Sequence, residues 1–482
     1  MDIVERINLN QDVRGIDVLL TQPGHIQDEK VPYLGRELPL GLAYLASYLE
    51  SQGLSAEIFD MNIYEGSFEL LKKILKETKP LVVGVSAFTV DIIRAGDIAR
   101  AVKEFDKNIT TVIGGIHATA LPEQTMLEFE YFDYLIYGRG ELSLASLVKN
   151  LKSGKNPRVL EGLVYRSDGN VIKNPPQRNI LPLDELPYPA RSRLNLKKYA
   201  PHIQKCFTLP NTGLISSLGC PYRCVYCSIH IVHPDIYSRN PENVVKELKY
   251  CVDNFGISDF RFFDDCLTLN RARMVKLCEL IIKEGLKIHW NGVSRVDRVD
   301  YQLLKLMKKA GCHQLGYGIE VGSERGLKII NKKTTLKQAQ DAIYFTKKAG
   351  LETSASFIFG FPGETIGDMR KTIDFAKKLS PDIALFYIVK AYPATALYEN
   401  LKKENAPVHT RWDQYLVQAP PVTGTGISGE ILVGLLREAY RSFYFRPRYI
   451  LQRIKRMLEH PKREFKVSLL GMKMVAAYFR NK

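Results

Sequence analysis

The sequence predicts two α/β domains in tandem, a doubly wound Rossmann-like domain and a partial (β/α)6 TIM-type barrel, followed by a helical C-terminal extension. Three observations carry this. Across residues 15–145 short apolar runs alternate with segments of helical periodicity, as in a parallel sheet with crossover helices. Residues 213–392 repeat the alternation as six strand–helix units. Residues 393–482 abandon it: irregular Pro- and Gly-bearing stretches give way to basic segments with helical spacing. A chain of 482 residues also exceeds one ordinary core.

Composition bounds the function classes. With 45% hydrophobic and 25% charged residues the chain is globular throughout. Its start, MDIVERINLNQDVRG, has no apolar signal core, and no run of 18 apolar residues occurs, so a cytoplasmic protein without spanning helices is expected. The eight cysteines are then thiols or ligands rather than disulfides. The net charge of +16 is concentrated at the end. From Arg437 to Lys482 thirteen Lys and Arg face Glu438, Glu459 and Glu464, a balance of +10. Such a tail suits nucleic acid, anionic lipid or an acidic substrate, and equally a solvated helix face.

In chain order, Gly15–Pro23 reads as a buried strand and Leu38–Gly53 as a helix with a glycine stop. SAEIFDMN is a strand, FELLKKILKETKP a helix, Leu81–Thr89 a strand and Ile92–Phe105 a helix. Thr110–Thr119 is a strand with a glycine turn, a helix opens at Pro122, and Phe132–Glu141 is the fifth strand. Ligands of such sheets bind at the carboxyl ends of the strands. Those ends carry Ser86, Phe88 and Thr89, then Gly114, Gly115 and His117, then Gly138, Gly140 and Glu141. Glycines there let a flat, bulky ligand approach the backbone.

Residues 146–212 read as a connector, with a hairpin turning at Asp168–Gly169 and a proline-rich stretch after it. The barrel opens with LISSLG, followed by a helix capped by Asn240 and Pro241. ISDFRFFDD, KIHWNGVSRVD, HQLGYGIEVGSE, LETSASFIFGFPGE and DIALFYIV continue the strands. Beyond residue 393, ENAPVHTRWDQY and VQAPPVTGTGISGE suit a substrate-facing cover, and a helical pair broken near Pro447 follows.

The first barrel strand delivers SSLGCPYRCVYCS, with Cys220, Cys224 and Cys227 spaced C-x3-C-x2-C. Three thiolates in one loop suit a soft iron centre, and four-iron clusters normally take four cysteines, so one iron would stay open to a further ligand. A Cys3His zinc site using His230 is the alternative, since zinc wants four ligands.

The C-x3-C-x-aromatic-C loop resembles the signature of the radical S-adenosylmethionine (SAM) superfamily. PLGLAYLASYLESQG, SAFT, GGIHAT-x-x-PE and YGRGE, in that order, resemble the cobalamin-binding domain that precedes class B radical SAM domains. The resemblance implies a [4Fe-4S] cluster on Cys220, Cys224 and Cys227 whose open iron chelates SAM. It places SAM against Tyr226, Asp264, Asp265, Ser294, Arg295, Glu320, Gly322, Gly360 and Pro362. It places cobalamin against Ser86, Thr89, Gly114, Gly115, His117, Gly138, Gly140 and Glu141. The D-x-H-x-x-G motif that supplies a cobalt-ligating His in many cobalamin proteins is missing; His25 lacks its Asp and Gly context. Base-off cobalamin without a His ligand from that loop is therefore implied.

The implied chemistry is reductive cleavage of SAM to a 5'-deoxyadenosyl radical and methylation of an unactivated carbon. The runner-up is an oxidative cyclase or rearrangement enzyme of the magnesium-protoporphyrin ester cyclase type; a non-enzymatic cobalamin sensor would not need the cysteines. Expected partners are an apolar or anionic small-molecule substrate and an electron donor such as flavodoxin or ferredoxin. No nucleic acid is expected. The basic C-terminal segment, including VSLLGMKMVAAYF, suits peripheral membrane contact or packing against the barrel.

Overall fold

A computed structural model describes residues 1–9, 11–24, 35–200, 205–409, 411–415, 424 and 426–459. His25 and VSLLGMKMVAAYF lie outside the described residues.

The first sheet has seven strands in the order β2-β1-β3-β4-β5-β6-β7. Strands β1 (Val18–Gln22), β2 (Ala56–Asp60), β3 (Val82–Ser86), β4 (Thr110–Gly114) and β5 (Tyr134–Ile136) are parallel. Strands β6 (Leu163–Ser167) and β7 (Asn170–Lys173) add antiparallel. The helices are α1 (Ile3–Asn8), α2 (Leu40–Ser51), α3 (Ser67–Thr78), α4 (Ile92–Phe105), α5 (Ile116–Ala120), α6 (Pro122–Glu128) and α7 (Glu141–Lys152). β1 and β2 are buried along nearly their whole length because both sheet faces are covered, Glu57 and Asp60 included. α1, α3 and α4 build one core, and α2 and α7 the other.

Two local outcomes differ from the expectations. β4 stops at Gly114, and His117 lies on α5 rather than in a strand running to Thr119. Gly115 makes the turn at φ 94°, where a Cβ would stand 2.8 Å from the Ala87 carbonyl oxygen. The hairpin at Asp168 (φ 51°) and Gly169 (φ 78°) forms, and its strands are β6 and β7 of the first sheet.

The second sheet has six parallel strands in the order β15-β14-β13-β12-β11-β8. They are β8 (Asn211–Leu214), β11 (Asp259–Phe262), β12 (His289–Ser294), β13 (Cys312–Glu320), β14 (Glu352–Phe359) and β15 (Ile383–Ile388), and a small ribbon pairs β9 (Ser217–Leu218) with β10 (Tyr237–Ser238). Helices α8 (Ile229–Val232), α9 (Pro241–Phe255), α10 (Arg271–Lys283), α11 (Tyr301–Lys309), α12 (Glu324–Ile329), α13 (Leu336–Lys348) and α14 (Ile366–Leu379) complete an open, partial barrel. Thr335 and Thr365 start α13 and α14 with capping boxes. Along β14 buried residues alternate with the half-exposed Ser354, Ser356 and Ile358.

The extension begins with α15 (Ala396–Lys403), returns to the first domain as a single turn at Trp412–Tyr415, and ends in α16 (Gly429–Tyr444) and α17 (Pro447–Glu459). Pro447 opens α17, which is why the helical pair breaks there. Trp412 and Tyr415 are buried in the N-terminal core, far in sequence from the rest of it.

Candidate active site

The cysteine loop is shaped from both sides. Asp264, buried just after β11, accepts hydrogen bonds from the Ser216 amide (2.8 Å) and from the Ser216 and Ser217 hydroxyls (2.5 Å each). Burial pushes its carboxyl up while those donors pull it down. Asp265 accepts from the Gly219 amide at 2.7 Å, and burial pushes it up to about 6. Gly219 has φ 91°, and a Cβ there would lie 2.3 Å from the Asp235 carbonyl oxygen, so the turn before Cys220 needs glycine. The two aspartates expected at SAM thus hold the backbone that presents the cysteines.

All eight cysteines are free thiols. Burial pushes Cys227 up to about 11 and raises Cys220, and each of these two thiols feels Cys224 electrostatically. Cationic iron reverses that preference, because a coordinating thiol is deprotonated outright. Among the described residues no group of three His, Cys, Asp or Glu side chains converges on a single-ion site. Thiolates that each bind a different iron of a cluster need no such convergence.

Tyr226 lies against Phe361, ring centroids 5.5 Å apart, beside the Gly360–Gly363 turn. Its hydroxyl accepts from Lys332 Nζ at 3.1 Å, and the same ammonium pairs with Glu320 at 3.0 Å. Glu320 ends β13 at φ 70°, where the register with β14 shifts. The loop holding Lys332 braces the cysteines directly: the Val225 amide donates to the Ile330 carbonyl and Asn331 Nδ2 to the Arg223 carbonyl. Arg295 donates to the Lys332 carbonyl, pairs with Asp297 at 2.9 Å and stacks on Tyr222 at 3.3 Å. Ser294 hydrogen-bonds Thr268. Gly322 is small for a packing reason, since its Cβ would stand 2.5 Å from Thr372 Cα on α14. Glu364 closes the next turn by accepting from the Gly360 and Phe361 amides, which leaves Pro362 at its rim, and burial pushes the carboxyl up to about 7.

The carboxyl ends of β3, β4 and β5 gather Ser86, Thr89, Gly114, Gly115, His117, Gly138, Gly140 and Glu141 on one edge. Gly138 faces open space, with no atom within 4 Å of a Cβ built on it. Phe88 and Ile116 leave 50% and 38% of their surface in water there. An open glycine edge with uncovered apolar side chains fits a bulky planar cofactor such as a corrin. Glu141 pairs with Arg139 at 3.2 Å. His117 is sealed instead: its Nδ1 meets the Thr89 hydroxyl at 3.3 Å, Trp412 covers its ring at 4.8 Å, and burial pushes it down to about 4. α5 packs on α8, the helix immediately after Cys227, so the glycine edge adjoins the cysteine loop.

Sequence reasoning missed Lys332, Phe361, Trp412 and Lys390. Lys332 and Lys390 are two lysines among many, and Trp412 occupies a stretch with no periodicity. Phe361 sits inside the FGFPGE turn without a motif position of its own.

The Radical SAM superfamily profile matches residues 214–376, and the B12 binding domain profile matches residues 32–148. The chain is 37% identical over 423 residues to the "Uncharacterized methyltransferase PH0819" of Pyrococcus horikoshii, covering 88% of this chain and 90% of that one. It is 31% identical over 371 residues to the anaerobic magnesium-protoporphyrin IX monomethyl ester cyclase of Rubrivivax gelatinosus, covering 75% and 66%. The fold is shared with the radical S-adenosylmethionine methyltransferase TsrM from Kitasatospora setae, whose structure contains tryptophan substrate and a SAM analogue: TM-score 0.67, 19% identity, 82% of this chain and 78% of that one. With both domains matched in order, and one relative covered almost end to end, the chain belongs to the class B radical SAM enzymes, whose cofactors are a [4Fe-4S] cluster, SAM and cobalamin.

Proposed function

We propose that the chain is a cobalamin-dependent C-methyltransferase acting on an unactivated carbon of a small molecule. The observation that carries this is the adjacency of the glycine edge and the cysteine loop across α5 and α8, beside one cavity at the carboxyl ends of the barrel strands. When bound, the cofactors supply a hydrogen-abstracting 5'-deoxyadenosyl radical and a methyl group. The residues do the rest. Cys220, Cys224 and Cys227 hold the cluster, and Asp264, Asp265 and Gly219 fix their loop. Tyr226, anchored by Lys332, offers its ring to the adenosyl group together with Phe361 and the Gly360 turn. Ser86, Thr89 and the glycines at 114, 115, 138 and 140 would seat the corrin, with His117 behind that edge as a neutral buried contact.

The cavity, about 220 Å³, is bounded by Tyr226, Ile358, Tyr387, Lys390, Tyr392 and Tyr415 among others. Aromatic walls exclude water from a reactive intermediate, and Lys390 is the ammonium on its lining. This supports an apolar substrate bearing an anionic group.

The second reading, an oxidative cyclase, is favoured by the 31% identity to the Rubrivivax cyclase. Anaerobic reconstitution followed by incubation with SAM, cobalamin, reductant and candidate substrates decides between them. S-adenosylhomocysteine formed together with 5'-deoxyadenosine supports methylation. Deoxyadenosine alone moves the assignment to cyclisation or rearrangement, and loss of neither product's formation in Cys224→Ala would refute the cluster assignment.

A further inference from the structure

We infer that α17 is a membrane-docking helix that seats the enzyme on an anionic lipid surface. A surface helix of a globular domain normally buries its apolar stripe and turns its charges outward. α17 does the reverse. Its inward face has one aromatic anchor, Tyr449, packed on Phe443 and Tyr444, and is otherwise polar: the Tyr449 hydroxyl donates to the Asp382 carbonyl at 3.1 Å, Gln452 donates to the Asp382 carboxylate at 2.6 Å, and Arg456 pairs with both Glu352 and Asp382 at 3.1 and 3.0 Å. These contacts clamp the helix to the amino-terminal end of the barrel. Its outward face is aliphatic, with Ile450, Leu451, Ile454 and Leu458 exposed by 45%, 66%, 51% and 82%. At 100° per residue these four fall within about 100° of one another around the axis. Together they leave roughly 400 Å² of apolar surface in water, the size of the largest patch on an ordinary monomer and one that is commonly functional.

The charges beside the patch identify what covers it. Arg448 and Lys455 lie along one margin of the stripe by the same angular count. On the neighbouring α16 and just past its end, Arg437, Arg441 and Arg446 line a cavity of about 540 Å³ with Glu438 and with Phe445, itself 59% exposed. From Arg437 to Glu459 seven Lys and Arg face Glu438 and Glu459, a balance of +5. An aliphatic stripe bordered by cations matches an interface of acyl chains under anionic headgroups. No described helix is long and apolar enough to cross a membrane, so the contact is peripheral.

The test is flotation of the full chain with phosphatidylcholine vesicles and with vesicles containing about one third phosphatidylglycerol. The wild-type protein should partition onto the anionic vesicles at least about tenfold more strongly than onto the neutral ones, and added salt should weaken it. Leu451→Ser/Ile454→Ser/Leu458→Ser should lose that binding by about tenfold or more. Because the three side chains are exposed, its thermal melt and its iron content after reconstitution should equal those of the wild type. Undiminished binding by the triple variant, or equal binding to both vesicle types, would overturn the inference. So would a dilution-dependent dimer abolished by the triple variant without vesicle binding, which assigns the stripe to a second copy. Vesicle binding that appears only after deletion of residues 460–482 would likewise overturn it, by assigning the stripe to the chain's own end.

Discussion

Replacing Lys332 with Met removes one half of a buried ion pair and leaves the other half in place. Both side chains are 7% exposed, so removing the ammonium leaves the Glu320 carboxylate charged and shielded from water. An uncompensated buried charge of this kind costs about 3–5 kcal/mol. For a domain of this size that corresponds to a fall in Tm of roughly 6–20 °C. The double variant Glu320→Gln/Lys332→Met removes both charges and should recover to within about 1 kcal/mol of the wild type. It should not recover SAM binding, because the Tyr226 hydroxyl still lacks the ammonium that fixes its ring. Denaturant unfolding of the three proteins, paired with SAM titration of the reconstituted enzymes, separates the two effects. A single variant as stable as the wild type, or a double variant as unstable as the single one, would refute the reasoning.

Burial lowers the Lys390 ammonium from 10.5 to about 8, so the folded chain binds fewer protons than the unfolded chain between those values and its stability rises with pH across that window. Lys390→Met should therefore be more stable than the wild type at neutral pH, with an advantage that shrinks from pH 8 to 10.5 in parallel melts. His117, lowered from 6.5 to about 4, costs stability as pH falls through that interval, by about 3 kcal/mol in full. His117→Leu should flatten the acid limb of the stability profile. Gly219→Ala forces a Cβ onto the Asp235 carbonyl at a left-handed φ, and is expected to lower iron incorporation on reconstitution while leaving far-UV circular dichroism unchanged.

What the sequence made legible was chemistry carried by neighbours along the chain. Three cysteines within eight positions, glycines at strand ends and acidic pairs closing strands are spacings that backbone geometry converts directly into place. The strand–helix alternation likewise marked the class of both sheets, because crossover helices between successive strands go with a parallel sheet covered on its faces. What stayed hidden was contact between positions distant in sequence. Lys332 reaches Tyr226 across 106 positions, and Trp412 donates to Glu128 across 284. Neither residue type nor local pattern distinguishes them from a surface lysine or a packed tryptophan. The roles of Asp264 and Asp265 were obscured for a related reason: their position at a strand end was readable, but not that their oxygens are occupied by the amides and hydroxyls of another strand's loop.

Those distant contacts share one physical purpose. Two cofactor domains that act on one substrate must hold a fixed separation, and a flexible linker would not supply it. Here the connector is anchored to both domains at adjacent residues: the Ala190 amide donates to the Ala43 carbonyl of α2 at 2.9 Å, and the next residue, Arg191, is buried against the barrel. Arg191 pairs with Glu247 at 2.7 Å and donates to the Gly213 carbonyl, while Arg239 takes the other Glu247 oxygen. Burying that triad carries a desolvation cost that its ion pairs only partly offset, since Arg191 Nη1 and Arg239 Nε are buried without hydrogen-bond partners among the described residues. The turn at Trp412–Tyr415 repeats the device from the other side. Trp412 is seated on His117 and Glu128 of the first domain, while the Tyr415 hydroxyl donates to the Ala391 carbonyl of the barrel and Lys390 donates to the Gln414 carbonyl. Tyr415, packed into the N-terminal core, also lines the cavity beside Tyr226, so this turn ties one wall of that cavity to the first domain.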